Sequence, residues 1–304
     1  MNLLITGAWQ QAKEHIAEIE AMGHTVAFLQ FEMDELPCVY DWVEGIIGNG
    51  IFLTHPIEKF TNLRYIQLTS AGFDRVPMDY VEAHGITIHN ARGVYSIPMA
   101  EFAASGVLQL YKKANFFREN QQKHQWIKNR DIMELYGKTV LIVGCGSVGT
   151  ECAKRFKAFG CKVVGIDVTV REDENYDAIK LLNTLDDELP EADVLLLTVP
   201  LTDETRGLMN GERMTLLKRD AIIVNISRGS VVDQVALEQC IDSIGGAVLD
   251  VFVDEPLPED SVLWDKGNVL VTPHNSFVGE NNGKRLGDLL LSNLMLEENH
   301  EYFS

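Results

Sequence analysis

One stretch, Gly137–Asp167, narrows the folds open to this chain more than any other. It reads GKTVLIVGCGSVGTECAKRFKAFGCKVVGID. Thr139–Val143 is an apolar, β-branched run after a lysine, which reads as a buried strand. Gly144-Cys145-Gly146-Ser147-Val148-Gly149 follows at once. Thr150–Phe159 then carries Cys152, Ala153, Phe156 and Phe159 at helical spacing and stops at Gly160. A second strand, Lys162–Ile166, ends in Asp167.

The three glycines have different physical tasks. Gly144 permits a tight strand-to-helix turn, Gly146 lets the backbone approach a pyrophosphate, and Gly149 lets helix and strand pack closely. The free N–H groups at the helix start, around Ser147 and Val148, and the helix dipole favour an anion there. Asp167 lies 18 residues beyond Gly149, where a carboxylate accepts hydrogen bonds from a ribose diol. A bare glycine triplet is only a turn. With strand, helix, second strand and terminal acid in place, the stretch predicts dinucleotide binding.

Strand and helix signals alternate along the rest of the chain. Before the glycine loop, strands are expected at Asn2–Thr6, 24–29, 43–47, 63–69 and Thr87–His89, with helices at 10–22 and Met78–Ala83. A nearly all-apolar helix, 99–110, suits a position between two domains. The polar, basic-aromatic run 116–131 reads as a solvated helix face or a dimer arm. After Asp167, strands are expected at 193–199, 221–226, 247–251 and 268–271, and helices at 212–217 and 233–242. A last amphipathic helix, 282–298, follows the final strand and is placed back on the first domain. This alternation predicts an α/β fold of two parallel-sheet domains. The expected boundaries are 1–97 with 278–304, and 98–277.

The net charge of −19 on 304 residues argues against nucleic acid and anionic membranes as partners. It also requires a local cation wherever an anionic substrate is held. No apolar run of 18 residues exists, so no membrane span is expected. The N-terminus begins as a strand rather than a signal peptide. The five cysteines, Cys38, Cys145, Cys152, Cys161 and Cys240, form no CxxC pair. They read as free thiols of a reducing cytoplasm, with no metal site. Cys145 stands inside the glycine loop, where a redox switch is the alternative to a space-filling residue.

Three later strands end in residues with chemistry. One ends in Ser227-Arg228-Gly229, one in Phe252-Val253-Asp254-Glu255-Pro256, and one in Thr272-Pro273-His274. In open α/β sheets ligands lie outside the carboxyl ends of the strands, on the glycine-loop side. Arg228 offers a planar fork that holds a carboxylate and polarises a carbonyl. His274 can give or take the proton that balances a hydride transfer. Glu255 can accept from the far imidazole nitrogen. Singly, each fits a salt bridge, a turn or a core histidine equally well. Together, beside a dinucleotide loop, they point to catalysis.

The runs VGCGSVGTECA, LLLTVPLTDETRGLMN, IVNISRGSVVDQVAL, AVLDVFVDEPLP and NVLVTPHNS, with LTSAGFD and NARGVYSIPMAEF upstream, resemble the D-isomer-specific 2-hydroxyacid dehydrogenases. The resemblance implies two Rossmann-like or flavodoxin-like domains with the active site in the cleft between them, in a homodimer. It implies Arg228, Glu255 and His274 as catalytic residues, with Arg228 and His274 touching both cofactor and substrate. Backbone N–H groups of Ala71 and Gly72 are implied to bind the substrate carboxylate, with Tyr95 in the pocket. Val199, Pro200 and Thr205 are implied around the adenosine half of the cofactor, and Ile226, Ser227 and Asp250 beside the nicotinamide carboxamide. The run NISRG departs mildly from the family's usual NTRG or NASRG. The longer regulatory domain of some phosphoglycerate dehydrogenases is not expected in this chain.

The expected function is hydride transfer between NAD(H) and a small 2-keto or D-2-hydroxy acid. Asp167 favours NAD over NADP, although Arg171 stands four residues on. Alternatives are a glyoxylate/hydroxypyruvate reductase, a short phosphoglycerate dehydrogenase, or an NAD(H)-sensing binding protein of the corepressor type on the same fold.

Overall fold

Runs such as Leu3-Leu4-Ile5 and Val194–Leu197 have no polar face to offer water, so they are buried on both sides, as strands of parallel sheets are. The computed structural model describes residues 1–301, with side chains through residue 296. The chain divides into two compact units, Met1–Tyr95 with the segment from Gly279 onward, and Ser96–Val278. No helix among the described residues is long and apolar enough to cross a membrane.

The first unit holds β1 (Asn2–Thr6), α1 (Ala12–Ala21), β2 (Thr25–Leu29), β3 (Gly45–Gly48), β4 (Tyr65–Leu68), α2 (Met78–Ala83) and β5 (Thr87–His89). The strands pair in the order β2-β1-β3-β4-β5, all parallel. Alternation along β1 feeds two cores. Leu4 joins Ile46, Phe60 and Ile66 on one face, and Leu3 and Ile5 join Ile47 and Tyr65 on the other. The C-terminal helix Asn282–Glu301 covers the second face with Leu286, Leu290 and Leu294, spaced one turn apart. Gly283, near the start of this helix, lies against the side-chain amide of Gln11. Arg285 Nε donates to the Val94 carbonyl at 2.8 Å, and Asn293 Nδ2 donates to the buried Gln67 Oε1 at 2.7 Å.

Strand order reverses direction between β1 and β3, the usual ligand crevice of such a sheet. Here the crevice is filled from within. The Glu32 carboxylate accepts from Thr6 Oγ1 at 2.8 Å and from the backbone N–H groups of Asn49 and Gly50 at 2.7 Å each. The Gly48-Asn49-Gly50 turn therefore spends its amides on an internal acid.

The second unit begins with α3 (Ser96–Tyr111) and α4 (Ala114–Gln122). It continues with β6 (Thr139–Val143), α5 (Ser147–Ala158), β7 (Lys162–Asp167), β8 (Ala178–Leu181), α6 (Leu185–Glu188), β9 (Val194–Leu197), α7 (Gly211–Thr215), β10 (Ile222–Asn225), α8 (Gln234–Cys240), β11 (Gly246–Leu249) and β12 (Val269–Val271). Seven parallel strands run in the order β12-β11-β10-β9-β6-β7-β8. Leu141 and Val143 of β6 face one core and Val140 and Ile142 the other. Helix α3 packs on α5 and β11, and Gly106 lies so close to Val248 that a Cβ would meet its Cγ1 at 2.6 Å.

Most element ends differ from the sequence expectations by a few residues, and three differences have a clear physical cause. Helix α5 starts at Ser147 rather than Thr150, because Gly146 is already its extended N-cap. Strand β8 has no apolar run to announce it; only Ile179 of its four residues is buried. The helix within 116–131 stops at Gln122. His124 turns left-handed at φ 52°, and the residues beyond have no apolar stripe to bury.

Candidate active site

Strand register gathers the candidate residues of the second unit. Val271, Leu249, Asn225, Leu197, Val143 and Ile166 form one row of partners across β12, β11, β10, β9, β6 and β7. The strands thus end level, and the loops after them share one edge of the sheet. The order changes direction between β6 and β9, which puts the crevice beside the glycine loop.

The glycine loop has the shape a pyrophosphate requires. Gly144 has φ 96°, and a Cβ on it would press the Thr198–Val199 peptide at 2.9 Å. A Cβ on Gly149 would stand 2.1 Å from the Gly144 carbonyl oxygen, so any side chain there would push helix and loop apart. Gly146 is different. A Cβ there would meet nothing within 4 Å, so this backbone faces open space. Ser147 and Val148 follow as the first residues of α5, whose opening amides have no helical acceptor. Ser147 Oγ lies 2.8 Å from Ser96 Oγ. The loop fits a dinucleotide phosphate.

Asp167 ends β7 with its carboxylate oriented by two amides, from Cys145 at 2.8 Å and from Val168 at 2.7 Å. Arg171 lies beside it, with Nη1 3.8 Å from Asp167 Oδ2, and its Nη2 donates to the Cys145 carbonyl. Cys145 itself is fully buried, and burial pushes its thiol up to about 12. It fills space under the loop and offers no thiolate for redox chemistry near neutral pH.

His274 and Glu255 meet. Imidazole Nδ1 is 2.9 Å from Glu255 Oε2, and Oε1 accepts from the Phe252 amide at 3.1 Å. A carboxylate only accepts, so Nδ1 carries a hydrogen and Nε2 is the nitrogen left to exchange a proton. The two side chains are 42% and 38% exposed. An ion pair so open adds little to stability, which leaves orientation of the ring as its physical effect. Phe277 stands edge-on to the imidazole, with ring centroids 6.0 Å apart.

Arg228 sits in the loop after β10, where Nη1 donates to the Ser227 carbonyl at 2.8 Å. Buried Asn225 shapes this loop. Its Oδ1 accepts from Ser227 N and Oγ, and its Nδ2 donates to the Arg228 carbonyl at 3.0 Å. Gly229 presses the loop against the one that carries Glu255. A Cβ there would lie 1.9 Å from the carbonyl carbon and oxygen of Phe252. Neither Asn225 nor Gly229 has a sequence signal beyond its place beside Arg228.

Several other candidates have structural duties. The Asp250 carboxylate is fully buried and accepts from Thr272 Oγ1 (2.6 Å), Asn275 N (2.7 Å) and Ser276 N (2.9 Å), while its carbonyl accepts from His274 N (2.8 Å). These bonds hold the turn in which His274 takes a left-handed φ of 51°, a conformation uncommon for residues other than glycine. Thr205 Oγ1 donates to the Pro200 carbonyl at 2.6 Å and accepts from Thr202 N at 2.8 Å, closing the loop that follows Val199. Ile226 and Ser227 are buried under the β10 loop. In the first unit, Tyr95 donates its hydroxyl to the Thr69 carbonyl, just ahead of Ala71 and Gly72, and burial raises its pKa.

Residues 104–276 match the family model for the D-isomer specific 2-hydroxyacid dehydrogenase, NAD binding domain. The chain is 33% identical over 255 residues to a glyoxylate reductase of Korarchaeum cryptofilum, covering 80% of this chain and 77% of that one. It is 32% identical over 250 residues to a D-3-phosphoglycerate dehydrogenase of Methanocaldococcus jannaschii, covering 81% of this chain. The match spans only 48% of that longer relative. A D-isomer specific 2-hydroxyacid dehydrogenase family protein from Aeromonas salmonicida superposes with a TM-score of 0.84 at 27% identity, over 98% of this chain and 95% of that one. With residues 104–276 matched by the family model and relatives above 30% identity along most of its length, the chain belongs to the D-isomer-specific 2-hydroxyacid dehydrogenases.

Proposed function

We propose that this chain is an NAD-dependent oxidoreductase that interconverts a small 2-keto acid and its D-2-hydroxy acid. The observation that carries the reading is the His274 Nδ1–Glu255 Oε2 contact of 2.9 Å on the sheet edge that also bears the glycine loop. Gly146, Ser147, Val148 and Gly149 would hold the cofactor phosphates, and Asp167 the adenosine ribose. Bound NAD(H) supplies or accepts the hydride. Arg228 clamps the substrate carboxylate and polarises the 2-carbonyl, drawing charge onto its oxygen. His274 Nε2 delivers a proton to that oxygen in reduction and takes it back in oxidation. Glu255 keeps the ring turned so that Nε2 faces the substrate. Within the first unit, the amides of Ala71 and Gly72 are proposed as a carboxylate-binding pair.

The glyoxylate reductase among the relatives supports a compact 2-keto acid as substrate. The Asp167 carboxylate favours NAD over NADP by repelling a 2′-phosphate, and Arg171 is already committed to Asp167 and the Cys145 carbonyl. Free buried thiols at Cys145, Cys152 and Cys161 suit a reducing compartment, so we place the protein in the cytoplasm. A homodimer is the proposed assembly, because Trp126 and Tyr136 present apolar rings that are 98% and 80% exposed.

Product chirality tests the reaction. Pyruvate reduced with NADH should give D-lactate on a chiral column. L-lactate, or a racemate, would overturn the assignment of a D-2-hydroxy acid as product.

A further inference from the structure

The loop Thr69–Gly72 follows β4, and its carbonyls are taken one after another. The Thr69 carbonyl accepts from Tyr95 Oη, the Ser70 carbonyl from Ala91 N at 2.8 Å, and the Ala71 carbonyl from Asn90 Nδ2 at 2.7 Å. The Gly72 carbonyl accepts from Ser70 Oγ at 3.1 Å. The first three donors all belong to one segment, Asn90–Tyr95.

A trans peptide is planar, so each N–H points opposite to the carbonyl of its own unit. Fixing the Ser70 carbonyl on Ala91 turns the Ala71 N–H away from that segment. Fixing the Ala71 carbonyl on Asn90 does the same for the Gly72 N–H. Neither amide has an acceptor among the described residues. Two adjacent amides aimed to the same side form an anion-binding nest. Within the loop only the Ser70 hydroxyl helps, on the Gly72 carbonyl, and Ala71 and Gly72 have no side chain with which to orient their own amides.

We infer that Asn90 is the positioning residue that pre-forms the carboxylate nest of Ala71 and Gly72, by gripping the carbonyl of the peptide whose N–H does the binding. This rests on the reading that a 2-keto acid is the substrate. The grip needs an amide. Nδ2 donates to the Ala71 carbonyl while Oδ1 accepts from Arg92 N at 3.2 Å, which fixes the side chain itself. Aspartate at 90 would keep the second bond and replace the first with a repulsive oxygen–oxygen contact. Alanine would remove both without adding charge.

The experiment compares the parent with Asn90→Asp and Asn90→Ala. It measures KM and kcat for a 2-keto acid, calorimetric binding of oxamate in the presence of NADH, and the Kd of NADH alone. Both variants should weaken the keto acid and oxamate about tenfold, the worth of roughly one hydrogen bond. Values of kcat should stay within threefold, and NADH should bind as in the parent. A residue serving only folding would move NADH binding and the melting temperature together with KM. Unchanged oxamate binding in both variants overturns the inference. If the parent binds oxamate without turning over any keto acid, the functional reading fails, and the oxamate comparison still decides the role of Asn90. A parent that binds neither keto acid nor oxamate overturns both.

Discussion

Arg228, proposed above as the substrate clamp, and three buried thiols carry predictions of different kinds. Arg228→Lys keeps the charge and loses the bidentate fork, so kcat/KM for a 2-keto acid should fall by about 100-fold or more, with NADH affinity retained. Steady-state kinetics beside fluorescence titration of NADH would separate the two effects; parental turnover would remove Arg228 from the site. The thiols give a pH dependence. Burial pushes Cys145 up to about 12 and Cys161 up to about 11, and it raises Cys152 as well. In the unfolded chain these groups ionise near 9, so unfolding releases their protons in alkali. The stability they contribute is complete below pH 9 and is lost as pH rises through 11 to 12, by up to about 1.4 kcal/mol per pH unit for each thiol. Urea midpoints from pH 8 to 10.5 should therefore fall, and less steeply in Cys145→Ala. Equal slopes would mean that the Cys145 thiol is not shielded. Arg228, Glu255 and His274 were nameable from sequence because guanidinium, carboxylate and imidazole have distinct chemistry. Asn225 and Asn90 were not, because an asparagine's role depends on which carbonyl it reaches.

At the scale of elements, the loops after β10 and β11 act as a single piece. Gly229 has room for hydrogen only, with the Phe252 carbonyl where a Cβ would go. Gly229→Ala must push the Arg228 loop off the Glu255 loop. It should cost about 1–3 kcal/mol of stability, and turnover should fall further than the loss of folded protein accounts for. Chemical denaturation together with kcat on the remaining folded fraction checks this; a parental midpoint would show that the loops part freely. Strand signals were legible wherever apolar residues run together, as in β6 and β9, because burial on both faces leaves no alternative. Strand β8 was hidden because it is an edge with one buried residue. The early start of α5 was hidden because Gly146 serves as turn and cap at once.

The whole molecule carries apolar surface on the segment after α4, where Trp126 is 98% exposed, Tyr136 80% and Ile127 50%. If this segment is the dimer arm, Trp126→Glu should convert a sedimenting dimer into a monomer at micromolar concentration while each unit stays folded. A parent that already sediments as a monomer would refute that assignment. The glycine-loop unit was readable from sequence almost throughout. The first unit was readable as a sheet, but not as one whose crevice is occupied by Glu32, because that bond joins residues far apart in the chain. On the proposed function the His274–Glu255 pair serves hydride chemistry rather than cofactor sensing alone. NADH consumption with glyoxylate, pyruvate and hydroxypyruvate, in the parent and in His274→Asn at matched NADH saturation, tests it most directly. The parent should turn over at least one of these acids, and the variant should lose about 100-fold or more of that activity. Tight NADH binding by both proteins, with no consumption above the uncatalysed rate for any of the acids, would contradict it.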